Sequence, residues 1–140
     1  GVQHMKNHKR PDVKPNGDAF VRSVDLLTGD NQKFHQLGYA VDDILKSKIP
    51  GYANEPGKLS IQCNYNQPMN KHVDKINLGP SYIFAVGDYS DGELQIYDND
   101  QPIDYDIRSK IWKFDGQTPH GVARIGSGIR ISFVVYRRNA

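Results

Sequence analysis

Five polar side chains have types and spacing that could do chemistry: His72 and Asp74, two positions apart, then His120, then Arg130 and Ser132. In an extended strand successive side chains alternate between faces, so His72 and Asp74 project to one side and can ligate a single cation. The pair also has a plainer reading, as a surface histidine beside a charged loop residue. By itself His120, in "FDGQTPHGV", reads as a turn histidine between strands. Arg130, Ser132, Val134 and Tyr136 share one face of the final apolar run, and Ile129, Ile131, Phe133 and Val135 take the other. An inward guanidinium needs an anion, because an unpaired buried charge is very costly, and a carboxylate held bidentate suits its fork. On an outer strand the same arginine would pair with Asp or Glu, and Ser132 would be an ordinary polar position.

Positioning these groups falls to a β-rich region behind one helix. Between Asp30 and Lys48 the apolar residues Phe34, Leu37, Val41, Ile44 and Leu45 form one helical stripe, with Asp30 the expected N-cap and Pro50-Gly51 the stop. His35 lies off that stripe and is expected in solvent. After Gly57 the period changes to two, predicting strands at 59–65, near 74, 81–87, 93–97, near 103, 109–114, 120–125 and 129–136. That is about eight, the number in a double-sheet jelly roll. Asp91-Gly92 and Gly126-Ser127-Gly128 are the expected hairpin turns. The second would join the last two strands antiparallel and bring His120 and Arg130, ten residues apart, to one height.

In this order and register the residues resemble the 2-oxoglutarate- and Fe(II)-dependent dioxygenases, whose double-stranded β-helix carries a His-x-Asp…His triad and a basic residue beyond the distal histidine. The matching positions are His72, Asp74, His120 and Arg130, with His120 46 positions after Asp74. Arg130-Ile131-Ser132 is similar to the Arg-x-Ser element that grips the far carboxylate of 2-oxoglutarate. "CNYNQP" is similar to an Asn-Tyr segment lining the cosubstrate pocket in some members. "YSDGELQIYD" resembles the Gly-Gly-Glu-Leu hairpin of prolyl hydroxylases, with Ser90-Asp91-Gly92 where two glycines are usual.

The resemblance, spanning 59–136, implies a mainly β, cupin-like jelly roll with one flanking helix. It implies Fe(II) on His72, Asp74 and His120, 2-oxoglutarate anchored by Arg130 and Ser132, and O2 as the other cosubstrate. Tyr65 is expected to reach toward the cosubstrate from the apolar face it shares with Leu59, Ile61 and Cys63. The implied reaction hydroxylates a C–H bond of a protein, nucleobase or small molecule and releases succinate and CO2. Two histidines and one carboxylate leave coordination positions open for such chemistry, whereas a structural zinc site fills all four, usually with cysteines. The Gly-Glu-Leu hairpin leans toward prolyl hydroxylases and the arginine anchor toward nucleobase or small-molecule oxygenases, so the substrate class stays open. The alternatives are a non-catalytic cupin-type barrel with Arg130 on a protein carboxylate, and a metal-free jelly roll binding carbohydrate or peptide.

Composition narrows the remaining classes. Eighteen basic against 16 acidic residues leave a net charge of +2, too little to predict a nucleic-acid or membrane partner. No apolar run approaches the roughly 20 residues that span a bilayer, and no signal peptide is seen, so a soluble cytoplasmic or nuclear monomer is expected. Cys63 is alone and can form no intramolecular disulfide. A single domain over 1–140 is expected: an extended lead-in at 1–20, the supporting helix at 30–48 and the β core at 59–136. The basic groups Lys6, Lys9, Arg10 and Lys14, and Arg137-Arg138, read as solvated ends, and Gly-Val-Gln-His-Met as a tag remnant. Trp112, Phe114 and Tyr97 are expected to pack; Asp88 and Glu93 sit at solvated turns. Lys75 and Asn77 lie where a loop can overhang the site.

Overall fold

The computed structural model describes residues 22–139, so the expected lead-in with its basic cluster lies outside the described residues. Helix α1 (Gln32–Lys48) begins one residue later than expected, because Asn31 rather than Asp30 caps it. The Asn31 side chain accepts a hydrogen bond from the Lys33 N–H at 3.0 Å, satisfying one of the unpaired donors of the first turn. At the other end Lys46 and Lys48 complement the helix dipole. The chain then leaves through Gly51 at φ 83°, a left-handed conformation that glycine adopts without penalty.

Eleven strands are present among the described residues: β1 (Arg22–Asp25), β2 (Lys58–Tyr65), β3 (Met69–His72), β4 (Ser81–Val86), β5 (Tyr89–Asp91), β6 (Leu94–Asp98), β7 (Gln101–Tyr105), β8 (Trp112–Phe114), β9 (His120–Val122), β10 (Ile125–Gly128) and β11 (Ile131–Arg138). They form a five-stranded sheet in the order β1-β2-β11-β4-β8, a four-stranded sheet β3-β9-β6-β7 and a small β10-β5 pair, every ladder antiparallel. From β2 on, the chain passes repeatedly between the two larger sheets, which is the winding of a jelly roll.

The expected hairpin at Gly126-Ser127-Gly128 is not formed. Those residues belong to β10, which pairs with β5, while β9 joins β3 and β6, and β11 lies between β2 and β4. His120 thus belongs to the four-stranded sheet, and Arg130 immediately precedes β11 of the five-stranded one. Asp91 likewise sits in a strand rather than at a turn tip. Arg137 and Arg138, expected as a solvated end, close β11: Arg137 Nη1 and Nη2 reach Gly57 and Tyr52 carbonyls at 3.4 Å, and Arg138 Nε donates to Ser60 Oγ at 2.9 Å.

The five-stranded sheet carries apolar packing on both of its faces. Beneath α1, Val41 and Leu45 meet Ile61, Tyr82, Phe84, Phe133 and Val135. Each fully buried aliphatic side chain contributes about 1.5–3 kcal/mol. Asp42 is tolerated at the edge of this layer because Tyr52 Oη donates to it at 2.6 Å and Lys46 pairs with it at 3.0 Å. The opposite face looks across to the four-stranded sheet, with Ile83, Ala85, Leu94, Ile107 and Ile125 closing one end of the interior. The other end holds a cavity of about 310 Å³.

Candidate metal centre

The cavity is walled by both sheets: Asn64, Ile83, Ser132 and Val134 on one side, Met69, His72, Leu94, His120 and Val122 on the other. Register places His72 directly opposite His120 on β3 and β9, so both rings point inward with centroids 4.3 Å apart. Asp74, two residues past His72, joins them. The ligand atoms of the three residues lie within 4.8 Å of one another.

Their hydrogen bonding prepares them for a cation. His72 Nδ1 is 2.7 Å from the Asn70 carbonyl and His120 Nδ1 is 2.7 Å from that of Thr118. A carbonyl only accepts, so each Nδ1 carries the proton and a neutral ring turns a bare Nε2 toward the site. These Nε2 atoms stand 3.4 and 3.1 Å from the Asp74 oxygens, where lone pair would meet lone pair. A proton on Nε2 or a metal ion among the three relieves that repulsion. With the histidines protonated, burial pushes the Asp74 carboxyl up, but bonds from His120 and His72 outweigh it and hold it well below the usual carboxylate range. Orienting Nδ1–H bonds to backbone carbonyls are the usual support of metal-bound imidazole. His120 is buried with the Phe114 ring edge-on at 5.1 Å, while His72 and Asp74 stay partly open to the cavity. That leaves room for further ligands on one side.

Arg130 is 0% exposed, yet no carboxylate pairs with it among the described residues. Its Nε donates to the Gly92 carbonyl at 2.9 Å and its Nη1 to Ser132 Oγ at 3.0 Å, leaving Nη2 buried without an acceptor. Burial pulls the guanidinium's pKa down, while the neighbouring Tyr89 hydroxyl and, beyond it, the carboxylates of Glu93 and Asp106 oppose. Ser132 reaches from this guanidinium to the cavity wall. A buried cation with a donor left over suits an anion better than a neutral group.

Sequence reading missed what holds Arg130. Asn66, at φ 50°, brackets its backbone: Asn66 N donates to the Arg130 carbonyl at 2.9 Å and Asn66 Oδ1 accepts from the Arg130 N–H at 2.7 Å. Asparagine tolerates that conformation better than other residues with a Cβ, the one local signal available. Gly92 matters for space, since a Cβ there would lie 3.0 Å from Arg130 Cδ. Tyr65 does not line the cavity: it stands opposite Ile131 and shares a strand face with Ile61 and Cys63, which pack in the layer under the helix. Its neighbour Asn64, Oδ1 accepting from Ser23 Oγ at 2.6 Å, lines the cavity instead. Asn77 is buried in the overhanging loop and donates to Ser81 Oγ at 2.9 Å, while Lys75 is exposed at the cavity mouth.

No protein-family model and no curated protein matches the sequence. Solved structures do. A 2OG-Fe(II) oxygenase family oxidoreductase from Burkholderia pseudomallei superposes with TM-score 0.65 at 11% identity, over 84% of this chain and 66% of that one. The fold is that of the 2-oxoglutarate- and Fe(II)-dependent oxygenases. A Pseudomonas putida prolyl-4-hydroxylase follows at TM-score 0.52 and 14% identity, over 85% of this chain and 68% of that. The viral collagen prolyl hydroxylase of Paramecium Bursaria Chlorella virus-1, solved as a 2OG complex, gives TM-score 0.50 at 13% identity, over 86% and 80%. The chain therefore spans about two thirds of the length of the two bacterial oxygenase-fold proteins. No helix among the described residues is long and apolar enough to cross a membrane.

Proposed function

We propose that this protein is a 2-oxoglutarate- and Fe(II)-dependent dioxygenase that hydroxylates a C–H bond of a peptidyl residue, a nucleobase or a small molecule. The observation that carries the proposal is the fully buried Arg130, free of any acidic partner among the described residues and linked through Ser132 to the cavity of the His72-Asp74-His120 cluster. Nε2 of His72 and His120 and the Asp74 carboxylate would hold Fe(II), and Arg130 with Ser132 the far carboxylate of 2-oxoglutarate. Bound together, iron, cosubstrate and O2 supply the oxidising chemistry that hydroxylates substrate and releases succinate and CO2.

The chain's own work is positional. Asn70 and Thr118 carbonyls fix the imidazole tautomers. Asn66 and Gly92 fix the anchor, and Phe114, Val122, Leu94 and Val134 line a mostly apolar wall that limits water around the reacting groups. A non-catalytic cupin-type barrel would be expected to neutralise Arg130 with its own carboxylate, a contact absent among the described residues.

Anaerobic addition of Fe(II) and 2-oxoglutarate tests the reading: a visible charge-transfer band is expected, and His72→Ala or Asp74→Ala abolishes it. Folded, iron-loaded protein without that band overturns the proposal. Succinate release across peptides, nucleic acids and free amino acids then identifies the substrate class.

A further inference from the structure

The sequence stripe on α1 is broader than the surface that covers it. Val41 and Leu45 are buried, but Leu37 and Ile44, two turns apart on one flank, remain 39% and 40% exposed. Beside Ile44 the outer face of the five-stranded sheet runs out from under α1 toward β8 and forms an open groove of about 600 Å³. Ile49, Tyr82, Phe84 and Ile111 lie along it, continuous with the core, and Val86 stands 41% exposed. The charged residues that line it are Lys48, Lys110 and Lys113, none of them in an ion pair among the described residues and with no carboxylate between them.

We propose that this groove docks an acidic amphipathic helix of a partner protein, laid beside α1 with its apolar stripe on Ile44, Phe84, Val86 and Ile111 and its carboxylates against the three lysines. The seven-residue spacing of Leu37 and Ile44 is the seam a neighbouring helix packs along. Charge selects among occupants. A second copy in a two-fold contact would set lysines against lysines. The chain's own residues 1–21 carry four Lys or Arg against two Asp and bring the wrong sign as well.

The probe is a fluorescein-labelled 18-residue Leu/Glu amphipathic helix titrated into the whole protein, read by anisotropy and by amide NMR shifts. Saturable binding is expected, with shifts around Ile44, Val86 and Ile111, weakened at least about tenfold by Lys110→Glu with Lys113→Glu or by Ile44→Ser. A scrambled peptide and a Leu/Lys peptide should not bind. The proposal is overturned by lack of saturation, by equal binding of the scrambled peptide, by indifference to both variants, or by shifts elsewhere. Dimerisation lost in Ile44→Ser would assign the groove to a second copy, and lysine-dependent binding to phosphatidylserine vesicles without peptide binding would assign it to lipid.

Discussion

Replacing Arg130 with Met separates the anchor reading from a structural one, because the first puts the loss in ligand binding and the second in unliganded stability. The variant loses the bonds from Nε to Gly92 and Nη1 to Ser132, each worth about 1.5–3 kcal/mol when the donor is charged. It also removes a desolvated charge whose burial costs several kcal/mol. The terms nearly cancel, so without ligand the stability of Arg130→Met should stay within about 2 kcal/mol of the parent, or roughly 10 °C in Tm. Cosubstrate binding behaves otherwise: truncating one partner of a buried charge pair costs about 2–5 kcal/mol, roughly 30- to 5,000-fold in Kd. Thermal melts with and without 2-oxoglutarate, in the presence of an inert divalent metal, read both quantities. At a concentration 100 times Kd the parent gains about 2.7 kcal/mol from ligand, and the variant gains almost none at that concentration. A variant that loses more than about 4 kcal/mol unliganded while keeping the ligand-induced shift would show that Arg130 serves the fold alone, and the anchor assignment would fail.

Gly92→Ala places a Cβ 3.0 Å from Arg130 Cδ and 3.1 Å from Ile125 Cγ1 at φ 69°, so it should cost about 1–3 kcal/mol and raise KM for 2-oxoglutarate while metal affinity, followed by calorimetry, is unchanged. Burial, and then the hydrogen bond to Glu55, push the Tyr82 hydroxyl up to about 12. The folded state therefore holds that proton more tightly than the unfolded chain, and stability present below about pH 10 should fall as pH rises from 10 toward 12. Urea unfolding at stepped alkaline pH should show a flatter limb in Tyr82→Phe; an identical slope would contradict the assignment. Leu45→Ala, at a fully buried position between α1 and the sheet, should lower unfolding free energy by about 2–5 kcal/mol in denaturant titration, and a loss under about 1 kcal/mol would mean the layer repacks freely.

Local periodicity made much of this legible. The two-residue alternation of β11 told which side Ser132, Val134 and Tyr136 share, and that side does line the cavity while Phe133 and Val135 pack beneath α1. Tyr65 shows where the same logic misleads. Its apolar face looks like the inner one, but a jelly roll with a wet cavity turns its apolar strand face toward the helix and its mixed face, Gln62 and Asn64, inward. Alternation fixes which residues travel together, not which side of the sheet becomes the site.

Residue types and spacing alone set one helical stripe ahead of the strands that follow residue 57, placed His72 and Asp74 two positions apart, and put Ser132 and Val134 on one strand face. Only the tertiary structure decided how the distant groups meet. His120 and Ser132 line one cavity from two facing sheets rather than across a Gly126-Ser127-Gly128 turn, because β10 finds its partner in β5, thirty-odd residues earlier. Strand pairing is chosen by burial summed over the whole sandwich, and no short stretch of sequence carries that sum. The burial of the Arg130 guanidinium is likewise a product of the folded surroundings, since it is shut off from solvent only once Gly92, Tyr89 and Ser132 have closed around it.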